Sequence, residues 1–195
     1  MSSDKYISNA RKPKGSLGKK FIRHMNEHHK ELIDWGFEHI KVPRKAEALD
    51  VGCGGGYTVR LLRKKYKCKK VYGVDYSKTS VKMAKKATRF LRNVKIKHGN
   101  VSSLPFRNKK FDLVTAVETI YYWPDIEKDF LEIYRILKKN GQFLIICEDC
   151  IPGNEVMKDM KIYTQNEIHK LLIHTGYKEV QTFRTNNWVC AIAKK

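Results

Sequence analysis

The chain has few acidic residues and no apolar run long enough to cross a membrane. Its 195 residues include 40 Lys and Arg but only 20 Asp and Glu, so the formal net charge is +20 at pH 7. No apolar stretch reaches the ~18 residues of a membrane-spanning helix, and the first residues lack the apolar segment of a secretory signal. The five cysteines are odd in number and scattered, which argues against a disulfide framework. These absences favour a cytoplasmic protein without a membrane segment.

The length and the hydrophobic pattern predict a single domain over residues 1–195, with no internal repeat. Residues 1–16 are basic and contain a proline and a glycine, which predicts a flexible arm. Apolar residues then recur at helical spacing, so we expect residues 17–40 to form an N-terminal helix. Residues 46–195 alternate strand patterns with amphipathic helix patterns, which is typical of an α/β core with a parallel sheet.

A glycine-rich turn follows the first predicted strand. Residues 48–56 read ALDVGCGGG, and Asp75 follows about 20 residues after the last of these glycines. An apolar run, a glycine turn and a helix present backbone N–H groups to a ligand, and an acid at the tip of the next strand can hold a ribose diol. The pattern therefore indicates a site for a nucleoside cofactor.

The spacing of the glycines distinguishes between cofactors. Dinucleotide sites use G-x-G-x-x-G, and counting from Gly52 the third glycine should be residue 57, where this chain has Tyr57. Asp50 stands two residues before Gly52. A buried acid beside the loop would repel a pyrophosphate but suits a ligand that carries an ammonium and a sulfonium. A dehydrogenase is accordingly the least favoured interpretation.

With these residues in view, the chain resembles the class I S-adenosylmethionine-dependent methyltransferases, in particular the small single-domain type related to the ubiquinone and menaquinone biosynthesis methyltransferases. The resemblance runs from about residue 46 to the C-terminus. The chain departs from the family pattern at two places: Asn100 stands where the family usually has an acid, and Tyr121-Tyr122 where it commonly has His-His. These departures bear on the identity of the methyl acceptor and not on the cofactor. The further matching segments are 71–77 (VYGVDYS), 98–106 (HGNVSSLPF), 111–118 (FDLVTAVE), 123–125 (WPD) and 137–142 (LKKNGQ).

The resemblance implies a fold as well. It is an α/β, Rossmann-like, seven-stranded sheet, mostly parallel with an antiparallel last strand and helices on both faces. The turn at residues 185–187 (Thr-Asn-Asn) tolerates positive φ and makes the last two strands an antiparallel hairpin. The family often places a helix ahead of the first strand over the cofactor, so the helix at 17–40 is expected to cover the site. Strands are expected near 46–51, 70–75, 93–98, 111–117, 142–148, 178–184 and 187–193.

The resemblance also implies the cofactor, S-adenosyl-L-methionine, which leaves as S-adenosyl-L-homocysteine. Gly52, Gly54 and Gly56 would let the backbone approach its methionine part, and Asp50 would favour its ammonium. Asp75 would accept both ribose hydroxyls. The other expected cofactor contacts are Tyr76 and Val101 on the two sides of the adenine, Asn100 at its exocyclic amine, and Tyr57 and Val117 around the same crevice.

Candidate groups for the acceptor chemistry follow the fourth strand or lie on the N-terminal helix. Glu118 could be a general base or an anchor for a cation, or only a helix cap. Tyr121 and the two aromatic residues after it could form a wall for a flat or cationic acceptor, or belong to the core. His28, or His29 beside it, could serve as a base, or be a packed histidine. No metal is expected, because the Cys-x-x-Cys sequence at 147–150 has no second pair.

These observations predict a methyltransferase that acts on a small-molecule acceptor. The alternative is an RNA- or protein-directed methyltransferase that docks through residues 60–97, which hold 15 Lys and Arg and one acid. A nucleic acid partner is possible but not favoured, because a lysine-rich solvated face explains the segment equally well. The (Asn/Asp)-Pro-Pro-(Tyr/Phe) motif of base amino methyltransferases is also missing, since residues 118–121 read ETIY. A nucleoside-binding module without acceptor chemistry is the non-enzymatic alternative.

Overall fold

One seven-stranded sheet organises the molecule in a computed structural model that describes residues 12–148 and 161–195. Its strands are β1 (Glu47–Val51), β2 (Lys70–Asp75), β3 (Val94–His98), β4 (Phe111–Val117), β5 (Leu137–Glu148), β6 (Lys178–Thr185) and β7 (Trp188–Lys194). They lie in the order β3-β2-β1-β4-β5-β7-β6, and neighbours are parallel except where β7 pairs with β5 and β6. The predicted sheet, mostly parallel with an antiparallel last strand, is confirmed.

Helices cover both faces of this sheet. Within the described residues they are α1 (Gly15–His28), α2 (Lys30–Glu38), α3 (Tyr57–Lys64), α4 (Lys78–Thr88), α5 (Ile126–Ile136) and α6 (Gln165–His174), with a 3-10 helix over Ile120–Tyr122. Residues of α2, α3 and α4 join one apolar core, and residues of α5 and α6 join the other. Strand β5 contributes to both cores, because Phe143 and Ile145 face one while Leu144 and Ile146 face the other. None of these helices has the length and apolar character needed to cross a bilayer.

Polar side chains define where the helices begin. Asp125 accepts a hydrogen bond from the N–H of Lys128 at the start of α5, at 3.3 Å. Thr164 and Glu167 form a reciprocal capping box at the start of α6. Both caps have a local chemical cause, because an Asp or Thr just before an amphipathic run can satisfy N–H groups that lack helical partners.

The N-terminal segment differs from the prediction of one helix over residues 17–40. The structure has two helices, α1 and α2, and the helical geometry is interrupted at His29, which has φ −86° and ψ 7°. Ile22 of α1 and Leu32 of α2 are both buried on the two sides of this interruption. Helix α1 already begins inside the segment predicted to be a flexible arm. Residues 1–11 of that arm lie outside the described residues.

Candidate active site

A cavity of about 340 Å³ lies at the carboxyl ends of β1, β2 and β4. One half is polar and is lined by the turn after β1 and by Asp50 and Asp75. The other half lies under α1 and α2 and is lined by apolar and aromatic side chains that include Met25, Tyr122 and Trp123. Ligands of open α/β sheets bind at this edge, so the cavity is the candidate active site.

The turn after β1 is attached to β2 by two backbone hydrogen bonds. The N–H groups of Gly52 and Cys53 donate to the carbonyl of Val74, at 2.8 and 3.0 Å. Gly52 has φ +73°, and a Cβ at this position would lie 2.1 Å from Thr119 Oγ1, so only glycine fits. Gly54 has φ +49°, but a Cβ there would meet no atom within 4 Å. The backbone of Gly54 is therefore open to a ligand.

Gly56 has a packing contact that the sequence did not indicate. It is not among the residues that line the cavity, and a Cβ on it would lie 3.2 Å from Cα and Cβ of Ala84 in α4. Its small size permits the close approach of α4 to the start of α3, and its predicted role beside the cofactor stays a prediction. Tyr57, the first residue of α3, and Val117, the last residue of β4, do line the cavity.

Asp75 ends β2 and holds the glycine turn in place. Its Oδ2 accepts a hydrogen bond from the N–H of Gly54, and its Oδ1 accepts one from the N–H of Ser77, both at 2.8 Å. Burial raises the pKa of Asp75, while these two N–H groups act in the opposite direction. The carboxylate is thus fixed at the edge of the cavity, with both oxygens oriented by the backbone.

Asp50 is a second buried carboxyl group in the polar half. It is 2% exposed, and its Oδ1 accepts a hydrogen bond from Thr115 Oγ1 at 2.6 Å. Burial raises its pKa to about 7; the Thr115 hydrogen bond opposes this rise and the charge of Asp75 adds to it. No Lys, Arg or His within residues 12–148 and 161–195 forms an ion pair with Asp50. The polar half is therefore suited to a ligand that brings positive charge.

The residues expected around an adenine lie together at one end of the cavity. Tyr76, Asn100 and Val101 all line it. The Tyr76 ring is 53% exposed, with Lys12 Nζ 3.9 Å from its centroid, whereas Val101 is buried. Asn100 Oδ1 accepts a 3.3 Å hydrogen bond from the N–H of Ser102. An exocyclic amine would share that oxygen with Ser102, so Asn100 also has the turn-forming role that its position after a glycine suggests.

Glu118 occupies the other half of the cavity, directly after β4. Its Oε1 lies 2.8 Å from the Tyr121 hydroxyl and accepts a hydrogen bond from the N–H of Glu148 at 2.7 Å. Its Oε2 lies 3.6 Å from His29 Nε2. Burial raises the pKa of Glu118 to about 8; the Tyr121 hydroxyl opposes this rise and the charge of Glu148 adds to it. A proton on this group is therefore exchangeable near neutral pH.

Tyr121 has a position that the sequence did not indicate, and the side chain of His28 is not described. Tyr121 is 4% exposed, does not line the cavity, and lies behind Glu118, where its hydroxyl also lies 2.9 Å from the carbonyl of Glu148. The side chain of His28 lies outside the described residues, whereas His29 lines the cavity. Helical periodicity favoured His28, and the interruption between α1 and α2 that brings His29 to the cavity has no clear sequence signal. Cys150, the second half of the Cys-x-x-Cys sequence, is also outside the described residues.

Comparisons with known proteins agree with this fold and this site. A family profile described as "Methyltransferase domain" matches residues 49–145. Demethylmenaquinone methyltransferases from several Staphylococcus aureus strains are 32% identical over 151 residues, which cover 74% of this chain. The aligned region spans 62% of the length of those relatives.

Solved structures share the architecture at low sequence identity. A S-adenosylmethionine-dependent methyltransferase from Aquifex aeolicus superposes with a TM-score of 0.77 at 20% identity, over 90% of this chain and 97% of that chain. A chain from the complex of the Haloferax volcanii Trm112 methyltransferase activator with a methyltransferase superposes with a TM-score of 0.80 at 20% identity. The match covers 91% of this chain and 94% of that chain. Phosphoethanolamine N-methyltransferase 2 of Haemonchus contortus, in complex with S-adenosylmethionine, superposes with a TM-score of 0.75 at 17% identity. The match covers 85% of this chain and 52% of that chain.

The sheet order, the glycine turn and the acid after β2 define a Rossmann-like nucleoside-binding protein. Together with the matching family and relatives, they place the chain more narrowly: it belongs to the class I S-adenosylmethionine-dependent methyltransferases. The cavity fits the cofactor of that family. Asp50 has no cationic ion-pair partner among the described residues, and the ammonium and sulfonium of the cofactor would supply that positive charge. Asp75 offers oriented hydrogen-bond acceptors, and the open backbone at Gly54 leaves room for a ligand.

Two glycine substitutions should separate stability from cofactor binding. Gly52→Ala is expected to lower the free energy of unfolding by at least about 3 kcal/mol, because the new methyl group overlaps Thr119 and φ is positive. Gly54→Ala should cost only about 1–2 kcal/mol, the penalty of the left-handed backbone. It should nevertheless weaken S-adenosylhomocysteine binding at least about tenfold, equivalent to about 1.4 kcal/mol, because its methyl group fills open space beside the cavity. Urea unfolding measures the stability of each variant, and calorimetric titration measures its affinity for S-adenosylhomocysteine. Equal losses of affinity in Gly52→Ala and Gly54→Ala would contradict the assignment of Gly54 to cofactor binding.

Proposed function

We propose that the protein transfers a methyl group from S-adenosylmethionine to a small-molecule acceptor. The observation that carries this proposal is the single cavity in which a polar, acid-lined half adjoins an apolar, aromatic-lined half under α1 and α2. Its volume lies within the range of small-molecule sites, about 300–1,000 Å³. The name of the S. aureus relative, demethylmenaquinone methyltransferase, also supports an apolar small acceptor.

The proposed roles follow from what each group can do where it lies. Asp75 would bind the ribose hydroxyls, Asp50 would balance the cofactor's positive charge, and the backbone at Gly54 would contact its methionine part. Tyr76 and Val101 would hold the adenine. When bound, S-adenosylmethionine supplies a methyl group already activated by its sulfonium, so the residues of the protein mainly bind, orient and exclude water.

Contacts of the N-terminal segment with the sheet edge support a small acceptor over a polymer. The Ser77 hydroxyl donates to the carbonyl of Pro13 at 2.7 Å, and Ile22 and His29 line the cavity. The N-terminal segment therefore forms part of the wall of the compartment in which the acceptor would bind. One observation favours a polymer: Phe90, 84% exposed, lies in the basic segment with the Arg89 guanidinium 4.4 Å from its ring centroid. Base stacking uses such exposed aromatic groups, so RNA is kept as an outcome of the test.

The test is the transfer of labelled methyl from S-adenosylmethionine into a cell extract that is then separated into small molecules, RNA and protein. We expect label in the small-molecule fraction. Asp75→Asn, which alters the acceptor of the Gly54 and Ser77 N–H groups, serves as the matched control for transfer that does not use this site. Label confined to RNA or protein would contradict the proposal and would point to the basic segment at residues 60–97 as a docking surface.

A further inference from the structure

Among the residues that the structure describes, hydrogen bonds hold Glu118 through one of its two carboxyl oxygens, Oε1. The Tyr121 hydroxyl and the Glu148 N–H both lie within 2.8 Å of Oε1. The other oxygen, Oε2, has His29 Nε2 at 3.6 Å, and both Glu118 and His29 line the cavity. A carboxyl group held in this way presents its second oxygen to the histidine and to a bound ligand.

The backbone of Glu118 is unusual for a residue with a side chain. Its φ is +51°, in the left-handed region, and its N–H donates to the carbonyl of Ile146 at 2.9 Å. A left-handed conformation is unfavourable for a residue other than glycine. Such strain persists only where the surrounding structure enforces it, and it is concentrated at functional sites. The position of this carboxyl group is therefore a constrained feature of the fold.

The groups that face Glu118 come from three parts of the chain. Tyr121 comes from the 3-10 helix, Glu148 from the end of β5, and His29 from the junction of α1 and α2. No Lys or Arg in the described ranges forms an ion pair with Glu118. Burial opposes the ionisation of Glu118 more strongly than the Tyr121 hydroxyl favours it, and the negative charge of Glu148 adds to the opposition. A group whose pKa lies near the working pH can both accept and release a proton.

We infer that His29 and Glu118 together accept a proton from the methyl acceptor, whose reactive group is then a hydroxyl or an activated C–H. This inference rests on the proposed methyl transfer. The O–H or C–H bond of the acceptor breaks, and its proton passes to the pair. The electron pair left behind forms the bond to the methyl carbon, and sulfur keeps the electron pair of the broken carbon–sulfur bond. A neutral amine attacks with its own lone pair and needs no proton acceptor in that step.

The competing use of Glu118 is to anchor a cationic acceptor. His29 is already the basic neighbour of Oε2, so an ammonium group would compete with the histidine for that oxygen. The rest of this half of the cavity is apolar and aromatic, with Ile22, Met25 and Trp123 among its lining residues. Such a surface suits a flat, largely apolar acceptor with one ionisable group.

The experiment measures methyl transfer to the small-molecule fraction of the extract between about pH 6 and pH 9 for wild type, Glu118→Gln and His29→Gln. The wild-type rate should rise with pH as the pair loses its proton. Glu118→Gln should lower the rate at least about 100-fold and abolish the rise, and His29→Gln should lower it at least about tenfold. Both variants should bind S-adenosylhomocysteine within about threefold of wild type, which shows that they fold.

Glu132→Gln is the matched control. Glu132 also accepts a backbone N–H, that of Leu104 at 2.7 Å, and contacts one other side chain, Arg135 at 2.6 Å, but it does not line the cavity. It should retain the wild-type rate and pH profile. A product methylated at an amine nitrogen or at sulfur, or an unchanged rate in Glu118→Gln, would overturn the inference. A wild-type protein that binds S-adenosylhomocysteine but labels no small molecule would instead contradict the proposed function.

Discussion

Replacing Asp75 with Asn is expected to weaken the binding of S-adenosylhomocysteine at least about 100-fold. In the structure, the two carboxylate oxygens of Asp75 accept hydrogen bonds from the N–H groups of Gly54 and Ser77, and this carboxylate lies at the edge of the cavity. An amide offers only one acceptor oxygen and points an NH₂ group at the other backbone donor. Hydrogen bonds from the two ribose hydroxyls to a charged acceptor would contribute about 1.5–3 kcal/mol each, so weakening both of them accounts for at least two factors of ten in affinity.

Calorimetric titration of the variant measures this loss, and Asp112→Asn provides its control. Asp112 resembles Asp75 because it accepts a backbone N–H, that of Glu47 at 2.8 Å, and it also pairs with Lys138 at 2.8 Å. It lies at the opposite edge of the sheet and does not line the cavity. Asp112→Asn should lower stability without changing affinity. An Asp75→Asn protein that binds within about threefold of wild type would contradict the assignment of the ribose site.

Replacing Asp50 with Asn is expected to stabilise the ligand-free protein at pH 8 while weakening its affinity for S-adenosylmethionine. Folded Asp50 keeps its proton up to about pH 7, whereas its usual pKa is 3.8. As the pH rises from about 4 to 7 the unfolded chain releases this proton first, so the folded state loses stability over that range. The full shift corresponds to at most about 4 kcal/mol at 1.36 kcal/mol per unit, and relaxation around the charge reduces the expected gain to about 1–3 kcal/mol.

Asparagine keeps the acceptor for the Thr115 hydroxyl, which donates at 2.6 Å, and it removes the uncompensated charge. Urea unfolding at pH 5 and pH 8 should show a larger stability advantage of Asp50→Asn at pH 8 than at pH 5. The affinity for the cationic cofactor should fall at least about tenfold, because a buried carboxylate facing an ammonium contributes more than an amide does. The variant would thus gain stability and lose binding, as is common at functional sites. An Asp50→Asn protein that is less stable than wild type at pH 8 would contradict this account.

The elements defined by local sequence were predictable. The strands that end at Asp50-Val51 and at Asp75 were predicted within one or two residues, because buried parallel strands read as short apolar runs between turn residues. The caps at Asp125 and Thr164 are local in the same sense, since they depend on side chains a few residues apart. The seven-stranded, mostly parallel sheet followed from the resemblance to the methyltransferases, which carries the long-range pairing that local patterns lack.

The parts of the site that depend on tertiary contacts were not predictable in the same way. Gly56 lies in the glycine turn, yet the approach of Ala84 from α4 gives it a packing role. A one-residue change in a helix turns a side chain by about 100°, and the helical geometry is interrupted at His29, whose Nε2 lies 3.6 Å from Glu118 Oε2. The 3-10 turn likewise places Tyr121 behind Glu118 and leaves Tyr122 at the cavity.

A crystal structure of the protein with S-adenosylhomocysteine would show where the cofactor lies relative to Asp75, Asp50 and Glu118. We expect the ribose hydroxyls within hydrogen-bonding distance of Asp75, the adenine between Tyr76 and Val101, and the amino group of the methionine part on the side of Asp50 and Gly54. The thioether sulfur should face the half of the cavity that holds Glu118 and His29. A ligand bound elsewhere, or bound in this cavity with its ribose away from Asp75, would contradict the account.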